Sequence, residues 1–258
     1  MQLFNLTRDV PCLFDGGDSV LSVKNYITGK NTFKLAKYYK DKICDDQDIE
    51  NYGLARSIVL SDMGDVIAFS PPKSFSNKLI DTTKQKKYRI EEIVEGTMIN
   101  LFFFNGEWHI ASKSVIGAKR NFYKNSPNFD ILFFELVKLC GINLEELNVD
   151  YSYSFVMQHP LNRIVVPVSS PQLYLVAVYM PITHVSTMGK IQTVQIVDRE
   201  YCFQTYFKNT SLKLPEHYAN APLSEITKKY ASNQTPYNIV GFMIFDKTTG
   251  RICKVRNP

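Results

Sequence analysis

The segment GTMINLFFFNGEWHIASKS, residues 96–114, constrains the fold more than any other part of the chain. Two runs rich in β-branched and aromatic residues flank Asn105-Gly106. That dipeptide favours a two-residue turn, because both central positions of such a turn need a positive φ. The segment therefore predicts a hairpin, and the pattern recurs. ARSIVLSDMGDVIAFS (55–70) places two β-rich runs around Met-Gly-Asp and stops at Pro71-Pro72, which cannot continue a hydrogen-bonded ladder. NIVGFMIFDKTTGRICKVRNP (238–258) predicts a hairpin whose polar turn spans Lys247 and Gly250. YRIEEIVEGTMINLF (88–102) reads as a strand, a tight turn at Glu95-Gly96-Thr97 and a second strand.

Further strands are expected at YSYSFVMQ, NRIVVPVS and LYLVAVYM. SPNFDILFFELVKLCG is the clearest helix, with an apolar face of Phe129, Leu132, Phe133, Leu136, Leu139 and Cys140 and a stop at Gly141. LSEITKKYA is a second helical stretch, and NTFKLAKYYKDKI has helical character. The sum is an α+β fold, mainly antiparallel, in a single domain over 1–258. Residues 1–54 form its N-terminal helical or irregular segment and residues 55–258 its core.

With 258 residues, 45% of them hydrophobic, the chain can build one sizeable core. No apolar run is long enough for a membrane span, and the N-terminus does not read as a secretory signal. Cys12, Cys44, Cys140, Cys202 and Cys253 are scattered without CxxC spacing, which argues against a disulfide framework or zinc site and for a cytoplasmic location. His109, His159, His184 and His217 are isolated and read as packed or surface residues rather than metal ligands. No phosphate-binding glycine motif or serine-nucleophile motif is present.

Net charge is +5, from 30 basic and 25 acidic residues, a mild excess. Its distribution says more. KQKKYR (Lys84, Lys86, Lys87, Arg89) and GAKRNFYKN (Lys119, Arg120, Lys124) lie on either side of the 88–102 segment. Each is either solvated surface or, mixed with Tyr88, Phe122 and Tyr123, the composition of a single-stranded nucleic-acid groove.

The order of these segments resembles the adenylyltransferase domain of phage and viral RNA ligases, members of the covalent nucleotidyltransferase superfamily. ARSIVLSDMGDVIAFSPPKSF, with Arg56 and Lys73, is similar to their upstream segment. IVEGT resembles the nucleotide-attachment motif, with Glu95, Gly96 and Thr97 in register. HIASKS, with Lys113, resembles the next strand. SFVMQHPLNRIVV matches the pattern FExVxPxNRIV at Phe155, Pro160, Asn162, Arg163, Ile164 and Val165, and the last hairpin matches at Gly241, Lys254 and Arg256. The resemblance runs from about Arg56 to the last residue. It implies an ATP-grasp-like nucleotidyltransferase fold, with two mainly antiparallel sheets around a central groove and flanking helices. The additional C-terminal ligase domain is expected to be missing.

Members of that family attack the α-phosphate of ATP with a lysine amine, using acidic side chains for ribose and divalent metal and cations for the phosphate. Here the nucleophile position is Ile93, and the two glutamate positions are Val156 and Val240. An alkyl group neither attacks phosphorus nor binds magnesium. The resemblance therefore implies no catalytic residue and no metal ligand. It implies a basic pocket without carboxylates, made from Arg56, Lys73, Gly96, Lys113, Arg163, Lys254 and Arg256, that binds RNA or a nucleotide without cofactor or metal. Residual ATP binding and a protein partner in a larger assembly are compatible with it, and a membrane partner is not expected. A viral origin, in host cytoplasm or virion, fits the A·T-rich-type composition. The alternatives are a protein-interaction module whose old pocket is plugged by Ile93, Val156 and Val240, an active enzyme using another nucleophile, and an accidental resemblance.

Overall fold

The computed structural model of the protein describes residues 3–15, 18–76, 87–187, 189–218 and 221–258. Lys84 and Lys86 lie outside the described residues. The chain begins with β1 (Leu3–Asn5), α1 (Leu6–Asp9), β2 (Leu21–Thr28), β3 (Asn31–Tyr38), α2 (Asp46–Tyr52), β4 (Ile58–Ser61) and β5 (Val66–Phe69). Next come β6 (Tyr88–Glu92), β7 (Thr97–Phe104), β8 (Glu107–Ser112), α3 (Phe129–Cys140) and β9 (Ser152–Gln158). It ends with β10 (Gln172–Ser186), β11 (Gly189–Val197), α4 (Arg199–Cys202), α5 (Leu223–Tyr230), β12 (Gly241–Asp246) and β13 (Ile252–Arg256).

These strands form three sheets rather than two. One has six strands in the order β1-β11-β10-β9-β7-β8, one has four in the order β2-β3-β4-β5, and one has three in the order β13-β12-β6. Every strand pairing within them is antiparallel.

The β7–β8 hairpin forms as its turn chemistry requires, with Asn105 and Gly106 at φ 48° and 84°. β4–β5 and β12–β13 are likewise hairpins. In the latter, Asp246 Oδ1 accepts from the backbone N–H groups of Thr248 and Thr249, which fixes the polar turn. The 88–102 segment differs from its expectation. β6 pairs with β12 and β7 pairs with β8 and β9, so residues 93–96 cross from one sheet to another instead of closing a hairpin.

Period-two alternation then assigns each face. Ile99 and Leu101 of β7, Phe155 and Met157 of β9, and Leu173 and Leu175 of β10 pack against α3. The opposite face of the six-stranded sheet meets the four-stranded sheet, where Phe102 and Ala111 pack on Phe33, Leu35, Val59 and Ala68. Ser152 of β9 ties the two sheets, exchanging hydrogen bonds with the Phe69 N–H and carbonyl. In the three-stranded sheet, Ile90, Phe242, Ile244 and Cys253 pack beneath α5 through Ile226. Their neighbours Glu91, Met243, Phe245, Ile252 and Lys254 point the other way, towards the six-stranded sheet.

Three sequence expectations are corrected. NTFKLAKYYKDKI is a strand, not a helix, because Phe33 and Leu35 are buried on one sheet face and Ala36 and Tyr38 on the other. The supposedly helical or irregular residues 1–54 thus supply half of the four-stranded sheet. NRIVVPVS is a loop rather than a strand. On α3, Leu139 is exposed and Val137 takes its place in the core, while Gly141 ends the helix in the left-handed region as expected.

One contact fastens the small sheet to the large one. Glu91 of β6 and Arg199 of α4 are 1% and 3% exposed, and Arg199 donates to both Glu91 oxygens at 3.0 and 2.5 Å. Arg89 also reaches Glu91 at 2.8 Å, and Arg199 reaches Glu200 at 2.6 Å. Removing Arg199 leaves the buried Glu91 carboxylate with Arg89 alone as its counter-charge. We expect Arg199→Met to lower unfolding free energy by about 3 kcal/mol in urea denaturation, with the Glu91→Gln/Arg199→Met double variant recovering part of the loss.

Candidate nucleotide-sized cavity and its cations

A cavity of about 320 Å³ lies where the three sheets converge. The three-stranded sheet contributes Glu91, Glu92, Met243, Phe245, Ile252, Lys254 and Arg256, and the six-stranded sheet contributes Met98, Val156 and Val176. Arg56, Pro71 and Pro72 enter from either side of the β4–β5 hairpin. Val176 stands at a β-bulge between Leu175 and Ala177, which turns its side chain into the cavity and its carbonyl to the Arg199 guanidinium.

Residues 93–96 form the floor between the sheets. The Ile93 N–H donates to the Gly241 carbonyl, which sets the side chain of Ile93 beside Val240. At Gly96 φ is +151°, and an added Cβ would meet the Met157 carbonyl at 2.4 Å and Val156 at 2.8 Å. Only glycine fits so close to β9. Gly241, at φ +121°, is held as tightly against the Val255 carbonyl.

Ile93, Val156 and Val240 therefore all line one cavity and contribute apolar surface to it. They do not fill it. The volume left is at the lower end of what small-molecule sites use. The expectation of a pocket without carboxylates is also corrected, since Glu91, Glu92 and Glu95 line it. All three are engaged. Glu91 is in the buried ion pair, Glu92 accepts from the Glu216 N–H at 2.9 Å, and Glu95 accepts from the Val166 N–H at 2.7 Å. Burial, and secondarily the neighbouring carboxylates Glu216 and Glu91, raise the pKa of Glu92. Among the described residues, no three or more His, Cys, Asp or Glu side chains converge to hold a metal ion.

The motif residues Glu95, Thr97 and Asn162 act as ties. Asn162 donates to Thr97 Oγ1 at 2.8 Å, and Gln158 donates to the Glu95 carbonyl at 2.9 Å. With the Glu95–Val166 bond they pin the 163–171 loop so that Ile164 and Val165 close one side of the cavity. Arg163 is not part of it. This residue is exposed, with Nε turned to the Val165 carbonyl.

The remaining cations gather. Arg56, Lys254 and Arg256 line the cavity, and Lys73 and Lys113 stand close enough for their charges to act on Lys254. Burial first, and then the charges of Arg56, Arg256, Lys73 and Lys113, lower the Lys254 amine to about 8. Lys113 keeps an exposed surface, but crowding by protein atoms and then Arg56, Lys37, Lys73 and Lys40 lower it to about 8 as well. Its ammonium also sits over the Tyr38 ring. Among the described residues no carboxylate reaches salt-bridge distance of Arg56, Lys73, Lys113, Lys254 or Arg256.

Sequence reasoning missed Glu91, Glu92 and Arg199. The two glutamates were visible beside the turn, where alternation sends one of them towards the cavity. Arg199 carries no local signal, because its burial is set by a partner far away in sequence. The histidines behave as expected: His109 and His159 are buried, and His184 and His217 are exposed. Lys87 is paired to Asp246 at 2.8 Å.

No protein-family profile matches the chain, and no curated protein matches it. Among solved structures it is similar to a chain from Aquifex aeolicus assigned provisionally as an ATP-dependent DNA ligase, at 16% identity and a TM-score of 0.55. The match covers 91% of this chain and 59% of that one. At such identity the likeness establishes a ligase-like fold: mixed α and β, with antiparallel sheets and few helices.

An anion in the cavity favours the charged amines of Lys254 and Lys113, so binding is coupled to proton uptake. Sulfate does not titrate in this range. Its affinity, followed by calorimetry, is expected to be highest below about pH 8 and to fall as pH rises through that value. A flat profile from pH 7 to 9.5 is the contrary result.

Proposed function

We propose that this protein is a catalytically inactive RNA-ligase-like protein, of ATP-grasp-like nucleotidyltransferase fold, that binds a nucleotide or an RNA terminus in the cavity without transferring it. The observation that carries this reading is the composition of one cavity, whose lining combines aliphatic Ile93, Val156 and Val240 with the cations Arg56, Lys254 and Arg256. An aliphatic surface suits a base or sugar face. A crowded, unpaired set of cations suits phosphate, since a bound anion offsets the repulsion among the positive charges.

The nucleophile position holds an alkyl group, so covalent nucleotidyl transfer by the family's route has no starting point. A second reading deserves a test because of Lys254. Its amine is lowered to about 8 and faces the cavity, which is the condition an alternative lysine nucleophile requires.

One experiment separates them. Purified protein is titrated with ATP in the absence of divalent metal and separately incubated with α-labelled ATP and magnesium, then denatured on a gel. We expect binding in the titration, weakened at least tenfold by Lys254→Ala together with Arg256→Ala, and no labelled band. A labelled band that disappears in Lys254→Arg overturns the inactive reading. Absence of both binding and label leaves the cavity as packing alone and removes the nucleotide reading.

A further inference from the structure

The cations do not stop at the cavity. Lys37 lies beside Lys113 and is itself lowered by burial and by the charges of Lys24 and Arg120. Its amine donates to Ser114 Oγ at 3.0 Å, which fixes it at the far end of β8 from the Asn105-Gly106 turn. Arg56, Lys254 and Arg256 at the cavity, Lys73 and Lys113 beside it, and Lys37 and Arg120 beyond thus belong to one group of mutually repelling positive charges. Among the described residues none of these is ion-paired, whereas Arg8, Lys87, Arg89, Lys190, Arg199 and Arg251 all are. A group of like charges raises the energy of the folded chain, and a polyanion laid along it removes that penalty.

Where the track reaches Arg120, two aromatic rings stand in solvent. Phe122 and Tyr123 are 54% and 47% exposed and meet edge to face with centroids 5.0 Å apart. The loop that carries them is held in place. The Tyr123 hydroxyl donates to the Arg163 carbonyl at 2.7 Å, Asn121 donates to the Ser126 carbonyl at 3.0 Å, and Ser126 Oγ donates to the Tyr123 carbonyl at 2.8 Å. Arg163 precedes Ile164 and Val165, which close the cavity. The aromatic pair is thereby tied to the rim of the cavity.

We propose that a single-stranded polynucleotide runs from the cavity over Lys113, Lys37 and Arg120 and stacks its bases on Phe122 and Tyr123. The proposal rests on the reading of the cavity as a nucleotide site and adds the strand beyond it. Exposed rings beside a group of cations are the means by which single strands are held irrespective of sequence, while a duplex keeps its base faces covered. An acidic peptide would be drawn to the same charges but would have little use for the ring faces.

Anisotropy of a fluorescein-labelled, 5′-phosphorylated strand of about twelve nucleotides, as RNA and as DNA, tests it. ATP titration in parallel reports the cavity alone. We expect both strands to bind, the duplex to bind more weakly, and Phe122→Ala/Tyr123→Ala to weaken strand binding at least about fivefold, with a much smaller effect on ATP binding from the lost Tyr123–Arg163 bond. Lys37→Ala and Arg120→Ala should each lower the slope of log affinity against log salt by about 0.7. All four residues retain solvent exposure, and circular dichroism checks that the variants fold. Strand binding indifferent to both pairs of substitutions, or equal for duplex and single strand, overturns the track even where ATP still binds. Strand binding that depends on the track, with no ATP binding in any variant, sustains the track and removes the cavity reading instead.

Discussion

The buried ion pair between Glu91 and Arg199 is the contact on which the rest of this arrangement depends. The three-stranded sheet has its own small core under α5, and its other face carries a carboxylate and a lysine amine. Such a face cannot pack on the large sheet as hydrocarbon would. Arg199, presented by the short helix after β11, neutralises the carboxylate in a bidentate contact, and Arg89 adds a second cation from the same strand as Glu91. The two sheets are thus joined by charge where an apolar seam would have closed the space between them. The cavity lies beside that polar junction, with Glu91 in its lining.

Inside the cavity two opposing designs share one volume. Ile93, Val156 and Val240 offer no hydrogen bond, and the glutamates that could balance the lysines are spent on backbone N–H groups and on Arg199. Cations without counter-ions in a partly buried site are costly to keep charged, which is why the amines of Lys254 and Lys113 loosen their protons. Nothing in the packing requires this concentration of charge. The anionic ligand proposed above accounts for it, and the proposed track towards Phe122 and Tyr123 gives that ligand a direction.

Much of the fold was legible because hairpins announce themselves locally: Asn105-Gly106 and Pro71-Pro72 act within a few residues of themselves. What was not legible depended on distant partners. The pattern in 31–43 looked uneven because β3 is buried on both faces, so it shows neither clean alternation nor a helical stripe. Residues 162–169 looked like a strand because of their valines, yet the bonds of Glu95 and Asn162 hold them as a loop. Of the candidate site, Arg56, Gly96, Lys254, Arg256 and the three aliphatic positions line one cavity, with Lys73 and Lys113 beside it. Arg163 belongs to the matching segment but points away, since a motif specifies a loop's path more tightly than each side chain on it.

The crossing of residues 93–96 from one sheet to the other carries a mechanical consequence. This short stretch is a covalent joint between β6 and β7, and the cavity opens on the same joint. Any molecule seated there touches both sheets at once and is released only if they part or the mouth exchanges it. Occupancy and cohesion are therefore thermodynamically linked: the bound state resists separation of the sheets by an amount that grows with the logarithm of ligand concentration. On the binding-only function proposed above, rigidity itself reports whether the place is filled.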